Sequence, residues 1–168
     1  MPATTAEILQ ELDQEAATTR RVLERVPADK LTWKPHPKSM SIGQLALHVA
    51  QSPGALSSWA IEDTFAITGP MEGTPQPATA AEILAAHDEG VKQMKSAVGK
   101  IGDAGLGTTW QMTAGGNTVM SMPKANVLRT LALNHVYHHR GQLSVYLRLL
   151  DVPVPSIYGP SADENPMG

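Results

Sequence analysis

Three times along this chain a hydroxyl side chain stands three places ahead of a glutamate or glutamine, each time at the mouth of an apolar run spaced in threes and fours. Thr4-Thr-Ala-Glu7, Ser41-Ile-Gly-Gln44 and Thr79-Ala-Ala-Glu82 have the spacing of capping boxes, in which two side chains satisfy early helix amides reciprocally. The chain is thereby committed to helices at three separate places. The first stripe is Ile8, Leu9, Leu12, Ala16, Thr19, Leu23 and Val26, with Pro27 just past its end. The second is Leu45, His48, Val49, Ser52, Leu56 and Trp59, with Pro53 as a kink or division, and its pattern extends to Ile67 before Gly69-Pro70. Ile83, Leu84, Ala86, His87, Val91, Met94 and Val98 form the third, ending near Gly99 to Gly102. A fourth helix opens with Pro123 in its first turn and runs to about Leu150, where Asp151-Val-Pro153 stops it.

The segments between are connectors. Residues 27 to 40 hold Pro27, Pro35 and Pro37 and cannot be regular helix; Trp33 is expected to cover one end of the bundle and His36 to be a surface histidine. Residues 102 to 121 carry five glycines and form the longest irregular segment, with room for a short hairpin around Ala114-Gly-Gly-Asn117. The expectation is an all-α four-helix bundle, a single domain over residues 1–168, with a long Gly-rich loop between the third and fourth helices. The tail from Val154 to Pro160 is stiffened by proline and should fold back on the body.

Composition narrows the function. The net charge is −3 and no basic run could track a phosphate backbone, so no nucleic-acid partner is expected. No stretch approaches the ~20 apolar residues of a membrane span, and the N-terminus lacks the blocks of a signal peptide; no membrane association and a cytoplasmic location are the expectations. The chain has no cysteine, so a transition-metal site must be built from histidine, carboxylate and water.

The fourth helix supplies the histidines. His135 and His139 are four apart and sit one turn above the other. At about 100° per residue, Leu128, Leu131, Ala132, Gln142, Tyr146 and Leu149 cluster within about 60° of His135, with the stripe centred toward His139. His138 falls at the edge, as a flanking residue that could hydrogen-bond or line a pocket. His48, inward on the second helix, is the candidate third arm, while His87, beside Asp88 and Glu89, is expected to be half exposed and no ligand. Two readings stand at this point: hydrogen-bonded core histidines, or ligands of one ion. The second inward histidine on another capped helix tilts the balance to metal. Val136 stands where the metalloprotease motif H-E-x-x-H has its glutamate, so that chemistry lacks its general base.

Ser41-Ile-Gly-Gln-Leu-Ala-Leu-His48, Asn134-His-Val-Tyr-His-His-Arg-Gly-Gln-Leu-Ser-Val-Tyr-Leu-Arg148 and the Val-Pro-Ser-Ile-Tyr-Gly-Pro tail resemble the DinB/YfiT-like superfamily of bacterial damage-inducible metalloenzymes. The resemblance implies a four-helix bundle, often a homodimer, with a divalent ion held by one histidine of the second helix and two of the last. By position these are His48, His135 and His139, the three that helix phase selects. Three imidazoles leave open coordination positions, as in catalytic sites; zinc or nickel is the first expectation, with iron or manganese also suited. The nucleophile would be a metal-bound water or a substrate thiolate. The resemblance implies a thiol-dependent S-transferase or a metal-dependent hydrolase acting on a small molecule, with a low-molecular-weight thiol as a candidate partner. The alternative is a metal-binding stress-response protein without turnover, favoured by the lack of a carboxylate near the histidines in sequence. Gln142 is a candidate partner for a ligand histidine or a bound water. Tyr146, Trp59 and Trp110 are candidate pocket walls, each also readable as core, and Arg140 points away, suited to a salt bridge or subunit contact.

Overall fold

The structure is a computed structural model describing residues 3–166. Helix α1 (Thr5–Leu23) opens on the first capping box: Glu7 N donates to Thr4 Oγ1 at 3.2 Å and Thr4 N to Glu7 Oε2 at 2.9 Å. Helix α2 (Ile42–Ser58) opens on the second, with Gln44 N on Ser41 Oγ at 3.1 Å and Ser41 N on Gln44 Oε1 at 3.0 Å. At the third, Glu82 N donates to Thr79 Oγ1 at 3.2 Å, but the Glu82 carboxylate reaches one residue further back and accepts from Ala78 N at 2.9 Å. Helix α3 (Ala80–Leu106) therefore has half of the expected box.

Two expectations are corrected by a sheet. Helix α2 stops at Ser58, where the Ser57 and Ser58 hydroxyls turn back onto the carbonyls of Gly54 and Ala55. Thr64–Ile67, expected as its continuation, is strand β1. Its β-branched and aromatic residues suit a pleated surface, and Phe65 stacks on Trp59 with ring centroids 4.3 Å apart. The segment expected as an irregular Gly-rich loop is largely strands β2 (Thr109–Ala114) and β3 (Asn117–Pro123), so the fold is mostly helical and not all-α. The hairpin lies where the sequence allows it: Gly115 and Gly116, with φ of 56° and 80°, make the two-residue turn that only left-handed backbone can make. The strand order is β1-β2-β3, with β1 parallel and β3 antiparallel to β2. Helix α3 runs past its expected end, interrupted at Gly102, whose φ is 63°.

The last helical run changes register twice. Helix α4 (Lys124–Asn126) leads into a π-helical segment, Val127–Leu133, and then into α5 (Asn134–Leu149). Asn134 N–H reaches back five residues to the Arg129 carbonyl. Pro123 caps the run rather than standing inside its first turn. Asp151, at φ 55°, ends it in the left-handed conformation that a short polar side chain tolerates.

Helix α2 packs against α3 and α5, and α1 packs against α3. One core cluster gathers Val22, Leu45, Val49, Ile83 and Leu143; the other gathers Ile8, Leu12, Met94, Trp110 and Leu128. Trp110 is fully buried and its indole N–H donates to the Trp59 carbonyl at 2.7 Å, so it is core. Trp33 lies on the first cluster, edge-on to Tyr146. His36 is exposed, as expected. His87 is buried instead of half exposed, because the α3 period that places Ile83, Gly90 and Met94 inward carries it with them. The tail folds back through ion pairs of Glu164 with Arg21 and Arg25 and of Asp163 with Arg148. No helix among the described residues is long and apolar enough to cross a membrane.

Candidate metal centre

Helix α2 brings His48, and α5 brings His135 and His139, to one place. A ligating atom from each lies within 4.8 Å of the others, and the three rings meet edge to face with centroids 4.5 to 4.9 Å apart. Because both α5 histidines lie beyond the π-helical segment, ordinary helix spacing holds between them. All three are half-buried. Burial, and then the neighbouring His139 and His135, push the His48 imidazole down to about 4. Burial also lowers His135, helped by His139 and His138. It lowers His139 as well, against the raising effect of its bond to Gln142. Near neutral pH the cluster is uncharged, which is the ligating form of imidazole.

The flanking hydrogen bonds aim the rings. Gln142 Oε1 lies 2.7 Å from His139 Nδ1, while its amide nitrogen is 3.1 Å from His138 Nε2. An amide oxygen only accepts, so His139 carries its proton on Nδ1 and keeps the Nε2 lone pair free. Thr74 Oγ1, 3.0 Å from His48 Nδ1, can set the same tautomer there. His48 Nε2 then faces His135 Nε2 at 2.7 Å. Two lone pairs at that separation repel unless a proton or a cation stands between them. The donor set fits a transition metal in three respects: neutral imidazoles, two of the three rings held from behind, and nitrogens facing each other.

Beside the cluster lies a cavity of about 510 Å³. His48 and His135 form part of its wall, together with Met40, Leu56, Trp59 and Leu131 and with Glu72 and Thr74 of the 68–79 connection. Of the residues singled out from sequence, Gln142 touches a ligand candidate from the outside, Trp59 is a cavity wall, and Tyr146 packs against Trp33 instead. His138 is exposed and bonds to Gln142. Arg140 is buried in an ion pair with Glu15 at 2.7 Å. Sequence reasoning missed Thr74 and Glu72, which line the cavity. No periodicity could have found them: their connection is held on α2 by Gln44 Nε2 donating to Thr74 O at 3.1 Å and by Gln76 bridging Ser41 and the Leu31 carbonyl.

The DinB family model matches residues 1–166. A DinB-like protein from Bacillus cereus ATCC 10987, known from its crystal structure, superposes with a TM-score of 0.73 at 25% identity, covering 94% of this chain and 100% of that one. A DinB-like protein from Bacillus subtilis, YjoA, shares the fold with a TM-score of 0.67 at 17% identity, covering 90% and 96%. The uncharacterised protein YrdA of Bacillus subtilis strain 168 is 25% identical over 154 residues, 89% of this chain and 85% of its own length. With the family match spanning nearly the whole chain and the fold shared with solved DinB-like proteins, this chain belongs to the DinB family.

Proposed function

We propose that the protein holds one divalent metal ion through His48, His135 and His139 and acts on a small molecule in the adjoining cavity, as a thiol-dependent S-transferase or a hydrolase. The observation that supports this reading is the convergence of three uncharged imidazoles, two of them oriented from behind, at the wall of a cavity of small-molecule size. Zinc and nickel suit the donor set best, and iron or manganese would also accept it. What such an ion supplies when bound is Lewis acidity, which makes water or a thiol nucleophilic near neutral pH. The protein's part is to position. Thr74 and Gln142 fix the tautomers of His48 and His139, and Leu56, Trp59 and Leu131 exclude water from one side of the cavity. With no cysteine in the chain, a thiol would arrive with a cosubstrate.

A metal-binding protein without turnover is the second reading, favoured because no carboxylate hydrogen-bonds to any of the three histidines among the described residues. Metal analysis of untagged protein tests what both share. One equivalent of divalent ion is expected, lost in His135→Ala and His139→Ala and retained in His138→Ala. A metal content near zero, unchanged by these substitutions, overturns it. Turnover of electrophiles with low-molecular-weight thiols, or of esters and amides, by the loaded protein separates the two readings.

A further inference from the structure

The cavity beside the histidines is mostly apolar, and its one formally charged wall residue is Glu72. Its other polar walls are largely engaged: Ser52 donates to the His48 carbonyl and Thr74 meets the His48 ring. The Glu72 carboxylate makes no hydrogen bond or ion pair among the described residues, and its side chain is exposed to the cavity mouth. It stands two residues from Thr74, whose backbone carbonyl accepts from Gln44 of α2. No lysine or arginine lines this space, so in the metal-free protein no side chain there would offset the charge of an anionic ligand, whereas a cation would meet both a carboxylate and the polarizable surfaces of Trp59, Met40 and Met71.

We propose that this cavity accepts a small, largely apolar molecule bearing a basic amine, with its ammonium paired to Glu72, its apolar body between Leu56, Trp59 and Leu131, and its uncharged end toward His48 and His135. This rests on the cavity described for the proposed function, and not on occupancy of the metal centre. If the reaction uses a thiol, an aminothiol fits this wall and a polycarboxylate does not.

Three probes of similar size and different charge test the proposal: phenethylamine, phenethyl alcohol and hydrocinnamate, measured by calorimetry or ligand-detected NMR near neutral pH on metal-free protein. Phenethylamine is expected to bind about fivefold more tightly than the alcohol, the scale of a solvent-accessible ion pair, with hydrocinnamate weakest. Glu72→Gln should bring amine and alcohol level, and Glu72→Lys should place hydrocinnamate first; Glu72 is exposed, so neither change threatens folding. Equal binding of amine and alcohol by the unaltered protein, no binding of any probe, or a ranking that survives both substitutions overturns the proposal. A protein that fails to take up metal yet keeps the ranking loses only the metal reading. One that takes up a full equivalent and shows no ranking loses only the amine.

Discussion

Arg140 shows how much one side chain can hold. Its guanidinium is buried between α5 and α1, pairs with Glu15 at 2.7 Å, donates to Thr19 Oγ1 at 2.9 Å and to Tyr158 Oη at 2.6 Å, and lies over the rings of Tyr137 and Tyr158. Tyr158 in turn donates to Glu15 at 2.8 Å, which fastens the tail. Truncation leaves Glu15 and Thr19 without their partner, so Arg140→Ala should cost about 3–5 kcal/mol in urea unfolding, and Arg140→Met clearly less. Both variants lose the ion pair and only methionine keeps the packing of the stem, so equal losses would show that the ion pair, and not the packing, matters there. A second residue, His87, donates to the Ala16 carbonyl through Nε2, 3.1 Å away, while its buried Nδ1 has no partner. It faces a void of about 10 Å³ that is also lined by Glu15, Thr19 and Tyr137, room for one water. A high-resolution crystal structure should show a water on Nδ1; an empty void with a flipped ring would contradict this.

At the scale of elements, the site depends on how closely α2 approaches α3. A Cβ on Gly90 would sit 2.6 Å from the Ala50 carbonyl oxygen, and Gly54 faces Gly90 and Gln93 from the other side. Alanine at position 90 must therefore push apart the helix that carries His48. Gly90→Ala is expected to destabilise by about 1–3 kcal/mol despite its better helix propensity, and to weaken metal uptake with it. Gly99→Ala, on the exposed part of α3 with nothing within 4 Å, should stabilise by up to about 1 kcal/mol. Chemical denaturation of both proteins checks the pair, and a stabilising Gly90→Ala would mean that the helices are free to separate. These helices were legible because caps and stripes are local signals. The histidine triad was legible because an i, i+4 pair and an inward residue on a capped helix need only helix geometry to be read. Strand β1 was not legible, since Thr64–Ile67 continues a helical pattern and becomes a strand only through its partner β2, more than forty positions away. The π-helical turn carries no local mark either, and Glu72 enters the site through a connection held by Gln44 and Gln76.

For the whole molecule, buried His87 and half-buried His48 should set the acid limit. His87 and His48 have imidazoles lowered by burial, His48 to about 4. Above the ordinary value of 6.5 they are neutral in folded and unfolded chains alike. Below it the unfolded chain takes up protons that the folded protein refuses, so stability falls from there down to the lowered folded values. The carboxylates of Glu7, Asp103, Asp163 and Glu164, lowered chiefly by the hydrogen bonds they accept, are stabilising above their ordinary range, and that contribution is lost at still lower pH. Urea midpoints of the metal-free protein should thus decline in two stages, the first between 6.5 and about 4. A flat first stage would mean that these histidines open to water before the protein unfolds. The sheet bears on how the chain reaches this state at all. Strand β1 runs parallel to β2, and the 27-residue α3 lies between them in sequence, so their ladder cannot close until that helix has formed and crossed back. During synthesis β1 leaves the ribosome long before its partner exists, with its hydrogen-bonding edge bare and Phe65 covered only by Trp59. That interval is when a nascent chain of this fold is most open to pairing with a neighbour, and a chaperone that shields extended apolar segments would act there.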